Sequence, residues 1–504
     1  MPPGQKHIPL VLLVALQGAI SGASLVVEIV AGRILAPYVG MSVYTWTSII
    51  AVVLAGFSAG HWLGGRIAER PVREALALTG WLILAAALTT AVAVQLLYAI
   101  ASPVMTAGFG TVSTIVILSM GVFFLPSLFA GVPAPVLSHV AVSTASNGAG
   151  RALGAMFAAG AIGAIGGTLL SGFLFIPWLG TVTTLVIVTA AYVIAAVVLL
   201  VLAGRPIRGY LPFSALAIAT LGLSIHSATR PSPCTDESQY YCIRVFDVSQ
   251  NTEQPVRLMV LDHLSHGTSA RDLPRGMFAE FSAMLDEIAR RRMGERRFSA
   301  FFIGGGTYSV PRAWSDRDTG PITVAEIDPA VTRIASEQFW FDPDGVEILH
   351  EDARRALLSP SAGRYDVIVG DAFGDIAVPQ HLITREFFQL VRSRLADDGV
   401  FLMNVIDFVE QLDALAAIHL TLTSVFPSVE IWTEETPPEP GQQRVFVLAA
   451  GSMPSRFDSF TALSPEPKRF AALGETFTGR LLKSRNPFVL TDDFAPIDRL
   501  LAPR

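Results

Sequence analysis

Between Phe301 and Asp375 the chain repeats one arrangement: a short apolar run, then a glycine or an acid, then a helix-type segment. Phe301-Phe302-Ile303 leads into Gly304-Gly305-Gly306, and Ile322-Thr323-Val324-Ala325 ends in Glu326 and Asp328. Val346-Glu347-Ile348-Leu349 is followed by Asp352-Ala353, and the run from Tyr365 to Gly370 delivers Asp371. Glycines let a backbone turn tightly and approach a ligand where a Cβ would collide. A carboxylate offers two acceptor oxygens, enough for both hydroxyls of a ribose. Glu326 lies 20 residues after Gly306, close to the ~20 of an acid that binds a ribose hydroxyl. The chemistry these residues suit is a pocket for an adenine nucleoside. Plainer readings stand beside it: a tight turn for the glycines, strand-end acids for Glu326 and Asp371, and a helix cap for Asp352.

Positioning such residues takes parallel β-α-β units, in which ligands bind beyond the carboxyl ends of the strands. The pattern predicts further strands at Val400–Val405, Val429–Trp432 and Arg444–Ala449, with helices at Thr384–Leu395 and Phe408–Val425. Only a Pro-rich loop separates the last two strands, too short for a crossover helix, so that pair is expected antiparallel. Five parallel strands finished by an antiparallel pair is the layout of class I methyltransferase-type folds. Upstream, Tyr240–Val245 and Val256–Leu261 read as a β-hairpin, and Arg275–Arg291 as a helix.

The first half has a different character. Of 504 residues 51% are apolar and only 15% charged, against roughly 25% charged in a soluble domain, and the deficit falls before Arg230. Seven spans can be drawn near the ~20 residues that cross hydrocarbon: Ile8–Val30, Val43–Leu63, Ala75–Ile100, Thr111–Ala130, Leu153–Ile176, Val182–Leu202 and Tyr210–Leu223. The first is too long for the core of a signal peptide and reads as an uncleaved anchor. Gly131–Gly150 is open between loop and re-entrant segment. Gly163 and Gly167 form a GxxxG that suits helix packing. Glu28, Arg33, His61 and Arg66 read as an interfacial Glu28–Arg33 pair with a snorkelling Arg66, the alternative being a polar path or a lipid headgroup site.

Lys6, Arg66, Arg70, Arg73, Arg151, Arg205 and Arg208 fall on one side of this drawing, with Arg33 alone opposite before the last span. The bias places the amino terminus in the cytoplasm, and an odd span count places the soluble half outside, in the periplasm. Six or eight spans would reverse that. The only cysteines, Cys234 and Cys242, read as a disulfide in an oxidising compartment. The net charge of −6 and lack of a basic run argue against nucleic acid as a partner.

The ordered set GGG, EIDP, DAR, YDVIVGD and P-x-H-L-x-T-x-E-F-F resembles the spermidine synthase family, and more closely the bacterial proteins that fuse a multi-span membrane domain to such a domain. Glu28-x4-Arg33-Ile34-Leu35-Ala36-Pro37, Tyr44-x-Trp46, Gly64-Gly65-Arg66 and the ending Leu490-Thr491-Asp492-Asp493-Phe494-Ala495-Pro496 fit that group. The resemblance implies a multi-pass α-helical membrane domain (1–228), a linker with hairpin module and helix (229–297), and an α/β Rossmann-like, class I methyltransferase-type domain (298–504). It implies aminopropyl transfer from decarboxylated S-adenosylmethionine to a small amine; the spans keep open S-adenosylmethionine-dependent methyl transfer to a membrane-associated acceptor, or a non-enzymatic polyamine or nucleoside transporter or sensor. No metal is expected; the bilayer is a partner, and a homo-oligomer is compatible.

On that pattern Asp371 is the catalytic aspartate, Gly304, Gly305, Gly306 and Glu326 hold the donor, and Asp352 and Ala353 meet the adenine. Asp375 would bind a second amine. The chain departs from the family at the acceptor end. An Asp-Gly-Gly continuation is replaced by Thr307-Tyr308-Ser309, a Tyr-Gln pair by Tyr240-Tyr241, a Tyr-His-Glu by Phe278-Ala279-Glu280, and a Gln position falls on His266. Asp492 and Asp493 either line the site or, the plainer reading, cap a last helix from Phe494 to Leu501.

Overall fold

The computed structural model describes residues 8–145, 148–204, 210–251, 253–372, 378–439, 441–463 and 465–501. The chain divides into two compact units: residues 1–233 with 237–242, and residues 234–236 with 243–504.

The first unit is helical. Among the described residues, seven helices are long and apolar enough to cross a membrane: Leu10–Val39, Val43–Ala68, Val72–Ala91, Thr111–Thr144, Ala149–Leu179, Thr181–Ala203 and Leu211–Thr229. The number matches the sequence drawing; several limits do not. The third apolar run breaks at Val92 into Val72–Ala91 and Ala93–Thr106. The stretch after Gly131 is helical over Pro133–Thr144 rather than a loop, with Pro133 at the first position, where its missing N–H costs nothing. The last helix reaches Thr229, six residues beyond the expected Leu223.

Close packing explains the glycines. A Cβ on Gly163 would lie 2.1 Å from the carbonyl oxygen of Gly18, and one on Gly167 would lie 2.2 Å from that of Gly22. The GxxxG of the fifth helix therefore meets Gly18 and Gly22 of the first backbone to backbone. Gly60 is as tight against Leu128, with a Cβ distance of 2.1 Å. Arg33 corrects another expectation. It does not pair with Glu28; its guanidinium donates to the carbonyls of Tyr240 (2.5 Å) and Ser238 (2.8 Å). The Arg66 guanidinium lies 3.7 Å over the ring of Trp62.

The second unit is α/β. A small sheet is ordered β1 (Asp236–Glu237), β2 (Cys242–Asp247), β3 (Val256–Leu261), β4 (Leu264–Ala270), with β2–β3 and β3–β4 antiparallel. The hairpin thus gains a third strand that its polar, glycine-containing sequence concealed. The large sheet holds β5 (Ala300–Ile303), β6 (Ile322–Ala325), β7 (Val346–Leu349), β8 (Tyr365–Gly370), β9 (Leu395–Phe408), β10 (Ser428–Glu434), β11 (Gln443–Gly451), β12 (Ser459–Ala462) and β13 (Lys468–Leu473). Their order is β12-β13-β10-β11-β9-β8-β5-β6-β7.

Strands β5 to β9 pair in parallel, and β11 enters antiparallel between β9 and β10. This is the expected layout, widened by β12 and β13 at the β10 edge. Residues along β5 alternate between two cores. Phe301 and Ile303 join the helices Arg385–Arg394 and Asp413–Thr423 on one face. Ala300 and Phe302 pack with Trp314 and helix Glu280–Met293 on the other. Burial on both faces is why β5 reads as an unbroken apolar run.

Candidate functional site

The glycine turn leaves β5 with Gly304 at φ +92° and Gly306 at φ +53°, left-handed values that strain residues with a Cβ. Space makes the same demand, since a Cβ on Gly304 would lie 2.7 Å from the carbonyl oxygen of Asp371. Tyr308, also left-handed at φ +55°, turns inward. Its ring stacks on Phe341 at 4.2 Å, and its hydroxyl meets Thr332 Oγ1 at 2.7 Å. The ring also fills the space a Gly305 side chain would need. One residue of the substituted Thr307-Tyr308-Ser309 thus serves the core. Thr307 and Ser309 share a hydrogen bond (2.7 Å), and Ser309 Oγ meets Ser269 Oγ at 3.0 Å on β4.

Glu326 follows β6 and is 6% exposed. Its Oε2 accepts from Gly305 N–H at 2.8 Å, and its Oε1 from Asp328 N–H at 2.9 Å. Burial pushes its carboxyl up to about 7 against the pull of these donors. The carboxylate therefore already braces the glycine turn. Each oxygen accepts one of these backbone N–H groups, and the Gly306 N–H adds to the pull on the carboxylate.

Asp371, at the end of β8, is partly buried. Its Oδ1 accepts from Asn404 Nδ2 at 2.9 Å. Burial pushes this carboxyl up to about 7, and the Asn404 donor opposes the rise. Asn404, on β9 and 1% exposed, leaves its own Oδ1 without a partner among the described residues. Sequence reading missed Asn404, since a lone polar residue in a buried strand carries no spacing signal. Asp371, Gly304, Gly305, Thr307, Ser309 and His266 line one narrow cleft. It admits about 20 Å³, the space of about one water. That is too small for a whole nucleoside. Glu326 does not line it, but Gly305 connects the two carboxylates by lining the cleft and donating to Glu326.

Asp352 N-caps the helix Ala353–Leu358, its Oδ1 accepting from Arg355 N–H at 3.0 Å. Its Oδ2 meets His381 Nε2 at 2.7 Å. Ala353 is buried at the first position of that helix. Asp492 does not cap a last helix, which runs Ile497–Leu501. Instead it forms a two-pronged pair with Arg354 (2.7 and 2.6 Å) and accepts from Thr384 Oγ1 at 2.6 Å. Hydrogen bonding by Arg354 holds its carboxyl down at about 2. This network ties the chain's end to the helix that Asp352 opens.

Tyr240 and Tyr241 are absent from the cleft lining; they belong to the helical unit, with rings 6.3 Å apart. Cys234 and Cys242 are both disulfide-bonded. Asp375 lies outside the described residues. Among the described residues, no group of three or more acids, histidines or cysteines could hold a metal.

Residues 300–458 match the family model described as the spermine/spermidine synthase domain. The C-terminal half carries a spermidine synthase-like domain. A polyamine aminopropyltransferase of Vibrio vulnificus is 29% identical over 209 residues, covering 39% of this chain and 67% of that protein. An N-terminal histidine N-methyltransferase of Emericella nidulans is 31% identical over 188 residues, 36% of this chain and 33% of its own length. A polyamine aminopropyltransferase 1 of Streptomyces coelicolor is 23% identical over 431 residues, 79% of this chain and 76% of that protein, a match too long for the C-terminal half alone. Among solved structures, a probable spermidine synthase from Corynebacterium glutamicum aligns with 51% of this chain and 94% of its own, at 20% identity and a TM-score of 0.42.

Proposed function

We propose that this protein is a multi-pass membrane transferase that moves an aminopropyl group from decarboxylated S-adenosylmethionine to a small amine. The observation that carries the reading is Asp371, placed on one cleft with the glycine turn and held near neutral by burial. An amine must lose a proton to attack the carbon beside a sulfonium. A carboxyl titrating near 7 is matched to taking that proton at neutral pH. Asn404 fixes the carboxylate's orientation. The donor's ribose would meet Glu326, its adenine Asp352 and Ala353, and its sulfonium side the glycine turn. The sulfonium is already a good leaving group, so holding amine and carbon in line supplies much of the acceleration. No metal enters the scheme.

The altered acceptor end favours a second reading. Thr307 and Ser309 place hydroxyls where the family pattern has an acid, and one relative carries an N-methyltransferase name. Methyl transfer from S-adenosylmethionine to an amine would use the same base. Product identity separates them. The purified chain with decarboxylated donor and a panel of amines should release methylthioadenosine; release of adenosylhomocysteine from the carboxylated donor, and nothing from the other, would overturn the first reading. The loop charges and the cysteine pair favour a periplasmic catalytic domain, which a reporter fused after Arg504 tests directly.

A further inference from the structure

In the helical unit, four segments enclose a cavity of about 170 Å³. Its walls include Gln95 and Tyr98 of helix Ala93–Thr106, Thr181 and Thr183 opening helix Thr181–Ala203, Arg230 just past Leu211–Thr229, and Glu237.

These groups are arranged for a charged ligand. Gly180, at φ +76°, breaks the chain so that a 23-residue helix opens there. The first N–H groups of a helix have no acceptor within it. Thr181 N–H donates to Glu237 Oε2 at 3.1 Å, and Thr184 N–H to the Gly180 carbonyl at 3.2 Å. The N–H groups of Val182 and Thr183, both lining residues, have no acceptor among the described residues. Thr181 is 5% exposed, and its Oγ1 has no partner among the described residues. A buried hydroxyl without a partner costs free energy that a ligand oxygen would recover. Arg230 is exposed, meets His226 Nε2 at 3.5 Å and forms no ion pair among the described residues. Glu237 adds one carboxylate to the wall. The cavity thus presents a cation, a helix amino end and an orphan hydroxyl, with a single anion beside them.

Its depth in a bilayer follows from the neighbouring helix end. Trp178 is 79% exposed, one residue before the lining Leu179. Exposed tryptophans at the ends of spanning helices sit at the level of lipid headgroups.

We propose that this cavity binds a phosphate ester bearing an ammonium group, chemistry shared by an aminophospholipid headgroup and by free phosphoethanolamine. Phosphate oxygens accept from Thr181 Oγ1–H, the N–H groups of Val182 and Thr183, and Arg230; the ammonium donates to Glu237. The assignment is independent of the transferase reading.

The test uses the full chain in detergent, titrated with short-chain phosphatidylethanolamine, short-chain phosphatidylcholine and free phosphoethanolamine, with binding read by native mass spectrometry. The expected result is at least tenfold tighter binding of the ethanolamine than the choline lipid, because a trimethylated nitrogen cannot donate to Glu237. Thr181→Val and Arg230→Gln should each weaken it tenfold or more, while Thr181→Ser retains it. Tighter binding of the lipid than of free phosphoethanolamine identifies a headgroup site, and the reverse identifies a soluble ligand. Wild-type protein that binds neither ethanolamine probe, or binds ethanolamine and choline lipids alike, overturns the proposal without recourse to any variant.

Discussion

Asp371→Asn should make the protein inactive and, above neutral pH, more stable. Asparagine keeps the shape and an acceptor oxygen for Asn404 Nδ2, which lies 2.9 Å away, but cannot take a proton. Loss of a positioned general base costs on the order of 10²- to 10⁴-fold in rate. The stability effect follows from the carboxyl's rise from 3.8 to about 7. A raised carboxyl binds its proton more tightly in the folded state, so its contribution is fully present below about pH 4 and lost as pH climbs through about 7. A shift of about three units corresponds to an upper bound of about 4 kcal/mol. Residual solvent contact reduces this to about 1–2 kcal/mol. The assay pairs methylthioadenosine release with thermal unfolding of the full chain at pH 5 and pH 8. The variant should unfold several degrees above wild type at pH 8 and close to it at pH 5. A variant that keeps its turnover, or that is destabilised at pH 8, would refute the reasoning.

Three further outcomes are expected. Wild-type turnover should rise with pH through about 7 as Asp371 loses its proton, and a rate that is flat from pH 5.5 to 8.5 would remove Asp371 as the base. Glu326→Gln leaves one of the N–H groups of Gly305 and Asp328 facing an amide N–H, a loss of about 1–3 kcal/mol that should raise the donor KM roughly 5- to 150-fold; an unchanged KM would detach Glu326 from donor binding. Gly163→Val would drive a side chain into Gly18, where even a Cβ meets the carbonyl oxygen at 2.1 Å. It should cost more than about 3 kcal/mol, the upper end of ordinary overpacking, read as a lower unfolding temperature in detergent; wild-type stability would mean the first and fifth helices do not touch there.

Short apolar runs revealed β5 to β8 because most of their residues are buried in the sheet, with Thr323, Glu347 and Asp366 as the polar interruptions. The same rule hid β4, whose polar residues and Gly267 serve the glycine turn, with Ser269 meeting Ser309. It also hid β12, a short edge strand half of whose residues are polar, and β13, which opens with Lys468 and Arg469. The third apolar run looked continuous, yet its helix breaks at Val92 with φ −96° and ψ −1°, a change that composition does not register.

What the sequence determined by itself was periodicity and order: which runs are strands, which are long apolar helices, and where glycines and acids follow strand ends. These properties depend on neighbours along the chain. Only the tertiary structure decided the partners. Arg33 turned to the carbonyls of Tyr240 and Ser238 rather than to Glu28, Asp492 went to Arg354 and not to a helix end, and Tyr308 folded into the core beneath Gly305. Asn404 became the residue that orients Asp371. Each of these depends on a contact between residues 24 or more positions apart, except that of Tyr308 with Gly305, where a left-handed turn brings near neighbours together. Folding alone brings such groups within hydrogen-bond reach, and burial then sets their charge.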